Sequence, residues 1–239
     1  GVQVHRTRHW TELKLDAPAP FDTVITEEVA DNLLEDGLLP LARHAAAHLL
    51  PPLAASPPNY APPQSSPVLR RPRFVPARAT VYGALLSLRV KDIAGFDLRG
   101  FNAFRSNDSV FVDIEHLAAT DMYGKQHHDL LSAPHQLFDF DFERPEGIPT
   151  AGRTAHFEMA ATRAGILNAL VTWFVLWLDE GTCCDLGPQP KGRARPFWRR
   201  ARGQNVRFLG YERRVLPGDT VRVVASHDEK ELRLSAEPE

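Results

Sequence analysis

The stretch Phe21–Pro40, FDTVITEEVADNLLEDGLLP, decides how this chain is read. Phe21, Val24 and Ile25 form an apolar run too short for a helix, which predicts a short buried strand ending at Thr26. Glu27, Glu28, Asp31, Glu35 and Asp36 follow, so carboxylates emerge where the strand stops. In open α/β sheets ligands bind beyond the carboxyl ends of the strands, and acids placed there face a substrate. From Leu38 to Leu50, LLPLARHAAAHLL carries an apolar helical face that Pro51 and Pro52 stop. Strand, acidic loop and helix in that order make an α/β fragment.

Upstream, Val2–His5 (VQVH) and Glu12–Leu15 (ELKL) read as short extended pieces before the turn APAP at 17–20. Gly1 stands where a methionine would begin a chain, and a strand-like segment follows directly. The expectation is that the sequence starts inside a domain. Downstream, residues 51–72 hold eight prolines among Ser, Ala, Asn and Gln, and read as an extended or disordered insertion marking a domain boundary. Beyond it the pattern turns to β, at 74–90, 137–143, 156–163, 167–179, 204–212 and 219–228. Alternation such as Phe138-Asp139-Phe140-Asp141-Phe142 and the turn Pro217-Gly218-Asp219 predict an antiparallel barrel or sandwich. Residues 95–132 interrupt the strands with a helix-compatible segment too long for a hairpin, which reads as a protruding subdomain or a dimerisation arm.

With 239 residues and 43% hydrophobic content the chain can bury a sizeable core. A formal net charge of -2 gives no global basic field, so composition offers nucleic acid no electrostatic attraction. No apolar run is long enough for a membrane-spanning helix, and residues 1–20 lack a signal peptide's apolar core. The only cysteines, Cys183 and Cys184, are adjacent and read as a structural pair in a Gly-flanked turn. A reduced interior, cytoplasmic, nuclear or both, is the expected setting.

Among chemical candidates, the acids of the opening stretch read two ways: as solvated charges near a helix start, or as a clamp for a cation. Two carboxylates facing one pocket suit a guanidinium, whose planar N–H fork accepts bidentate pairing. Gly37 gives the backbone freedom for a loop that folds back over the strand end. His44 with His48, and His127-His128-Asp129, have ligand-like spacing without an evident third ligand, so no metal site is expected. The basic run Lys191–Arg202 reads as a solvated loop, and no G-x-S-x-G marks a serine nucleophile.

The segment FDTVITEEVADNLLEDGLLPLARHAAAHLLPP (21–52), followed after the insertion by RFVPARATVYGAL (73–85), resembles the protein arginine methyltransferase family. There a strand D-x-hydrophobic-hydrophobic-S/T-E opens a loop with two glutamates, then G-x-L-P and a helix, and the barrel begins with V/I-P-x-x-A-T-V-Y. VQVHRTRHWTELKL before it, and LSAPHQLFDFDF and TWFVLWLDEG after it, look most like the branch of protein arginine N-methyltransferase 7, whose members carry two such modules in tandem.

The resemblance implies the last strands of a Rossmann-like methyltransferase domain (1–50), the Pro-rich insertion (51–72), and an antiparallel β-barrel (73–239) with an inserted arm (95–132). It implies methyl transfer from S-adenosyl-L-methionine to a guanidinium nitrogen of protein arginine, with histones or RNA-binding proteins as substrates and a dimer or tandem pseudo-dimer as assembly. Residue by residue, Glu27 matches the first clamp acid and Asp36 the second. Glu12 matches an acid contacting the adenine end of the cofactor, with Thr11 as the alternative registration. Trp198 matches the tryptophan of a barrel motif, T/D-H-W-x-Q, that lines the substrate side.

Three departures stand out. Asp36 occupies a glutamate position, with Glu35 as a substitute if the loop shifts by one residue. Phe197 replaces the histidine of the barrel motif. The glycine-rich cofactor turn and the ribose-binding acid would lie upstream of Gly1. The reading from a different class is a degenerate, non-catalytic module serving as scaffold or dimer partner, which Asp36 and Phe197 favour. A strand followed by D-x-G-x-G immediately upstream would favour the enzyme.

Overall fold

The computed structural model describes residues 10, 21–50, 73–89, 92–93, 96–97, 99–104, 127–187 and 204–237. In chain order its elements are β1 (Thr23–Ile25), α1 (Leu38–His44) running into a π-helical turn (Ala45–Leu49), β2 (Arg73–Val75), β3 (Arg78–Arg89), β4 (Asp92–Ile93) and β5 (Phe96–Asp97). Then come α2 (Phe101–Phe104), β6 (His127–Leu130), β7 (His135–Asp141), β8 (Arg153–Ala160), β9 (Gly165–Trp177), β10 (Cys183–Asp185), β11 (Asn205–Val215), β12 (Thr220–His227) and β13 (Leu232–Ala236).

The longest strand, β9, is built from the near-continuous apolar run LNALVTWFVLW and is buried along most of its length, as a strand covered on both faces must be. It pairs antiparallel with β3 from Arg78↔Trp177 to Leu86↔Ala169. Tyr82 and Trp173, opposite one another in that register, stack with ring centroids 5.9 Å apart. Where the ladder ends, buried Asn168 continues it with its side chain, its Oδ1 accepting from the Leu88 amide at 2.9 Å. The other edge of β3 carries β7 and then β6, and the other edge of β9 carries β10 and β11.

A second antiparallel sheet, β8-β12-β13, has β12 at its centre, and the alternation of β12 turns Val221, Val223, Ala225 and His227 inward. The two sheets meet closely at Gly83, where a Cβ would lie 2.9 Å from Leu137 Cδ1 and 3.3 Å from Leu234 Cδ2. A side chain at this point of β3 would press on the ends of both leucines. Curled over this core, the strands form the antiparallel barrel-like β body that the sequence predicts.

The opening strand departs from its expected burial. β1 pairs parallel with β2 (Thr23↔Arg73 to Ile25↔Val75), and only Val24 turns toward the core. Ile25 is 75% exposed and Phe21 41% exposed, so the strand is an edge element rather than a buried one. The single strand expected over 74–90 is divided at Pro76, which has no N–H for a ladder; β2 belongs with β1 and β3 with the barrel. Phe74, fully buried, packs against Phe142 with centroids 6.0 Å apart, so β1 and β2 rest directly on the barrel core. One hydrophobic cluster runs from Leu33, Leu34 and Leu38 through Phe74 to the barrel interior.

Five short strands, β4, β5, β6, β10 and β13, lie outside the expected set. β13 was not anticipated, β10 replaces the turn expected around Cys183 and Cys184, and β6 places His127–Leu130 in the main sheet, although the sequence assigns these residues to the inserted arm. The central part of that arm, 105–126, lies outside the described residues.

Candidate functional site: an acidic loop held on the barrel

β1 ends when Thr26 donates its amide to Val75 O at 2.9 Å, the last bond to β2. The Thr26 hydroxyl then accepts from the Glu28 amide at 3.0 Å, and the Val29 amide bonds to Glu27 O at 2.7 Å. These bonds curl the chain away from the sheet at Glu27 and leave the side chains of Glu27 and Glu28 exposed.

The loop is then anchored by its apolar residues. Val29, Ala30, Leu33 and Leu34 are buried, and Ala30 faces Leu33 across a tight turn closed by Leu33 N to Ala30 O at 2.9 Å. Leu33 has φ 76, a left-handed conformation that costs a bulky residue roughly 1–2 kcal/mol and that its complete burial offsets. Asn32 organises the turn: its Oδ1 accepts from the amides of Leu34 (3.0 Å) and Glu35 (2.9 Å), the Asx geometry to which short amide side chains are suited. Gly37, at φ 86, takes the last left-handed position before α1.

Three side chains, Asn205, Asn32 and Arg43, tie this loop and its helix to the barrel. Asn205 Nδ2, on β11, donates to Asp31 O at 3.1 Å. Asn32 Nδ2 donates to Lys230 O, in the β12–β13 turn, at 3.3 Å. Arg43 of α1 donates to Pro149 O at 2.6 Å and forms an ion pair with Glu229. Half-buried Trp10 lies edge-on to His44 with centroids 5.6 Å apart, beside Gly37.

The electrostatic character follows. Glu27, Glu28, Asp31, Glu35 and Asp36 are all exposed, and among the described residues none of them has an ion-pair partner. A cleft of about 310 Å³ where β3 begins and β9 ends is also acidic, but there Asp141 and Glu143 pair with Arg144 and Arg73 while Asp179 and Glu180 have no ion pair among the described residues. Carboxylates left without cations on a braced loop give it a negative potential that attracts cations.

Of the sequence-assigned residues, the structure places Glu27 and Asp36 at opposite ends of one loop, both exposed. Glu12, with its alternative Thr11, and Trp198, with its neighbour Phe197, lie outside the described residues. Asp129, from the histidine-rich trio, pairs with Arg163 at 3.1 Å, and among the described residues no three His, Cys, Asp or Glu side chains converge on a common point. Burial pushes the Cys184 thiol up from its ordinary range, and the neighbouring Cys183 adds to the shift, so Cys184 is a poor nucleophile. The sequence reading missed the residues that hold the loop, Asn32, Arg43 and Asn205. Asp31-Asn32 carries a local turn signal; nothing near Asn205 in sequence points to the loop.

No family model matches the chain. Similar curated proteins are "Protein arginine N-methyltransferase 7" of Oryza sativa subsp. japonica, 25% identical over 74% of this chain and 23% of that protein, and "Protein arginine N-methyltransferase 1.6" of Arabidopsis thaliana, 30% identical over 72% and 22%. The "Arginine N(omega)-methyltransferase" of Streptomyces achromogenes subsp. streptozoticus is 26% identical over 77% of this chain and 44% of that protein. The chain thus spans less than a quarter of the plant relatives' length. Among solved structures, the Trypanosoma brucei PRMT1 enzyme-prozyme heterotetrameric complex with AdoHcy matches 95% of this chain and 69% of its own, with a TM-score of 0.55 and 15% identity. That likeness is one of fold and spans nearly the whole chain. Its similarity to arginine methyltransferases of plants and a bacterium supports a place for the chain in the protein arginine N-methyltransferase family.

Proposed function

We propose that this chain supplies the arginine-gripping part of a protein arginine N-methyltransferase, with Glu27 and Asp36 as the clamp. The observation that carries this reading is the pair of exposed carboxylates at the two ends of a loop whose middle is braced against the barrel. In this reading residues 1–50 belong to the cofactor domain, 73–239 to the substrate-binding barrel, and 95–132 to an arm used in a dimer or tandem pseudo-dimer. Arginines of histones or RNA-binding proteins, in the cytoplasm or nucleus, are the substrates.

A guanidinium is protonated and delocalised at neutral pH, and so is a poor nucleophile. Glu27 and Asp36, each accepting from guanidinium N–H groups, draw the positive charge toward the nitrogens they hold and leave lone-pair density on the remaining terminal nitrogen. S-adenosyl-L-methionine, when bound, supplies the methyl carbon on a sulfonium. The free guanidinium nitrogen would be the acceptor of that methyl group, and the proton it then sheds would pass to water or to a clamp carboxylate. Alignment by the braced loop contributes much of the acceleration. In this reading Glu12 contacts the cofactor and Trp198 lies on the substrate side, as the family motif has them.

The test is methyl transfer to an arginine peptide by the full-length protein. Glu27→Gln, which keeps the size of the side chain and removes its charge, is expected to lower kcat on the order of 100-fold or more. Undiminished transfer in that variant would refute the clamp, and a wild-type protein with no transfer would return the chain to a scaffold role.

A further inference from the structure

We propose that Asn32 and Asn205 are positioning residues through which the barrel sets the placement of Asp36 relative to Glu27; this rests on the clamp reading above. Glu27 inherits its position from β1, which β2 fixes by parallel pairing. Asp36 inherits its position from the turn at Asp31–Leu34, and that turn is held from outside. Asn205 reaches it from β11 and the Lys230 carbonyl from the β12–β13 turn, two separate parts of the barrel bonding to adjacent loop residues. One such bond would leave the turn free to pivot, whereas two on neighbouring residues fix both its place and its direction.

Asn32 links the two levels of order. Its carbonyl oxygen shapes the turn through the Leu34 and Glu35 amides, while its NH₂ group joins that turn to the barrel. Asn32 and Asn205 border one small cavity of about 30 Å³, together with Thr172, Arg207, Leu232 and Leu234, so the joint sits over the gap between loop and barrel. A displacement of about 1 Å at a reacting group costs on the order of 100-fold in rate, so a joint of this kind governs turnover. A purely stabilising pair of bonds would change the melting temperature and leave kcat alone.

Asn32→Asp keeps the oxygen that accepts from Leu34 and Glu35 and removes only the donor to Lys230 O. Asn205→Asp removes the donor to Asp31 O, and Asn205→Gln retains one. In the full-length protein, amide hydrogen exchange across Leu33–Gly37 and methyl transfer to an arginine peptide are measured for all three. Both Asp variants are expected to exchange faster in that segment and to lose about tenfold in kcat, with peptide KM within about twofold of wild type and partial recovery in Asn205→Gln. Unchanged exchange over Leu33–Gly37 would overturn the proposal whatever the activity. Wild-type kcat in both Asp variants, with Glu27→Gln inactive, would overturn it and leave the clamp standing. Transfer unaffected by Glu27→Gln would overturn the clamp and the coupling built on it.

Discussion

Asn205 donates its side-chain amide to the carbonyl oxygen of Asp31 at 3.1 Å, across 174 positions of sequence. The acids of the loop around Asp31 are therefore placed by the barrel as well as by the strand that precedes them. Any change that shifts β11 is felt at the loop, and the consequences below follow from that arrangement and from the packing beneath it.

Gly37 holds a left-handed backbone position just before α1. A Cβ there meets nothing closer than Pro40 Cγ at 3.8 Å, so a substitution costs backbone strain alone, at φ 86. Gly37→Ala is expected to destabilise by about 1–2 kcal/mol, and Gly37→Asn by less, because Asn tolerates the left-handed region. Urea unfolding of the two variants checks the order.

Asp36 is one methylene shorter than the glutamate of the family motif. If reach limits the clamp, Asp36→Glu raises kcat, by up to roughly 100-fold if the full deficit is about 1 Å. A fall in kcat would mean that the loop is already set for the shorter acid.

His227 makes stability depend on pH. It is buried at the sheet interface, edge-on to Phe138 and Phe140, with Nε2 accepting from Arg153 Nε at 3.1 Å and Nδ1 bonded to Asp228 O at 3.0 Å. Nδ1 therefore carries the proton and the ring is neutral. Burial holds its pKa below the ordinary 6.5; the hydrogen bond to the Asp228 carbonyl opposes this, the Arg153 charge adds a lesser lowering, and the Asp228 carboxylate opposes it least. The unfolded chain thus binds this proton more readily than the folded one. The stabilising contribution is fully present above the unfolded value and is lost as pH falls from there toward the folded one. Unfolding midpoints measured at about pH 7.5 and about pH 5.5 should differ in wild type and differ less in His227→Gln.

Phe140 anchors the same interface. It is fully buried, lies parallel to Phe142 with centroids 6.3 Å apart, and has the Arg153 guanidinium carbon 5.4 Å from its ring. Phe140→Ala is expected to cost about 3–5 kcal/mol in chemical denaturation, the loss of a large core side chain plus its cavity.

The sequence made β3, β7, β8, β9, β11 and β12 legible, because each has enough apolar or alternating residues for its periodicity to register. It did not reveal β6 or β10, whose short polar sequences HHDL and CCD become strands only through pairing with β3 and β9. Within the loop, the acids and Gly37 announced themselves by type and spacing. Ile25 misled, since an apolar residue in a three-residue strand reads as buried whether or not its face is covered, and here it is not. The tethers from Asn205 and Lys230 were invisible because their partners are remote in sequence, and a side-chain amide to a carbonyl leaves no pattern in composition.

The most direct measurement is the rate of methyl transfer from S-adenosyl-L-methionine to an arginine peptide by the full-length protein, wild type against Glu27→Gln. A wild-type rate that falls on the order of 100-fold or more in the variant, with the fold unchanged by circular dichroism, is the expected result. Equal rates in the two proteins would contradict the assignment of Glu27 to the clamp.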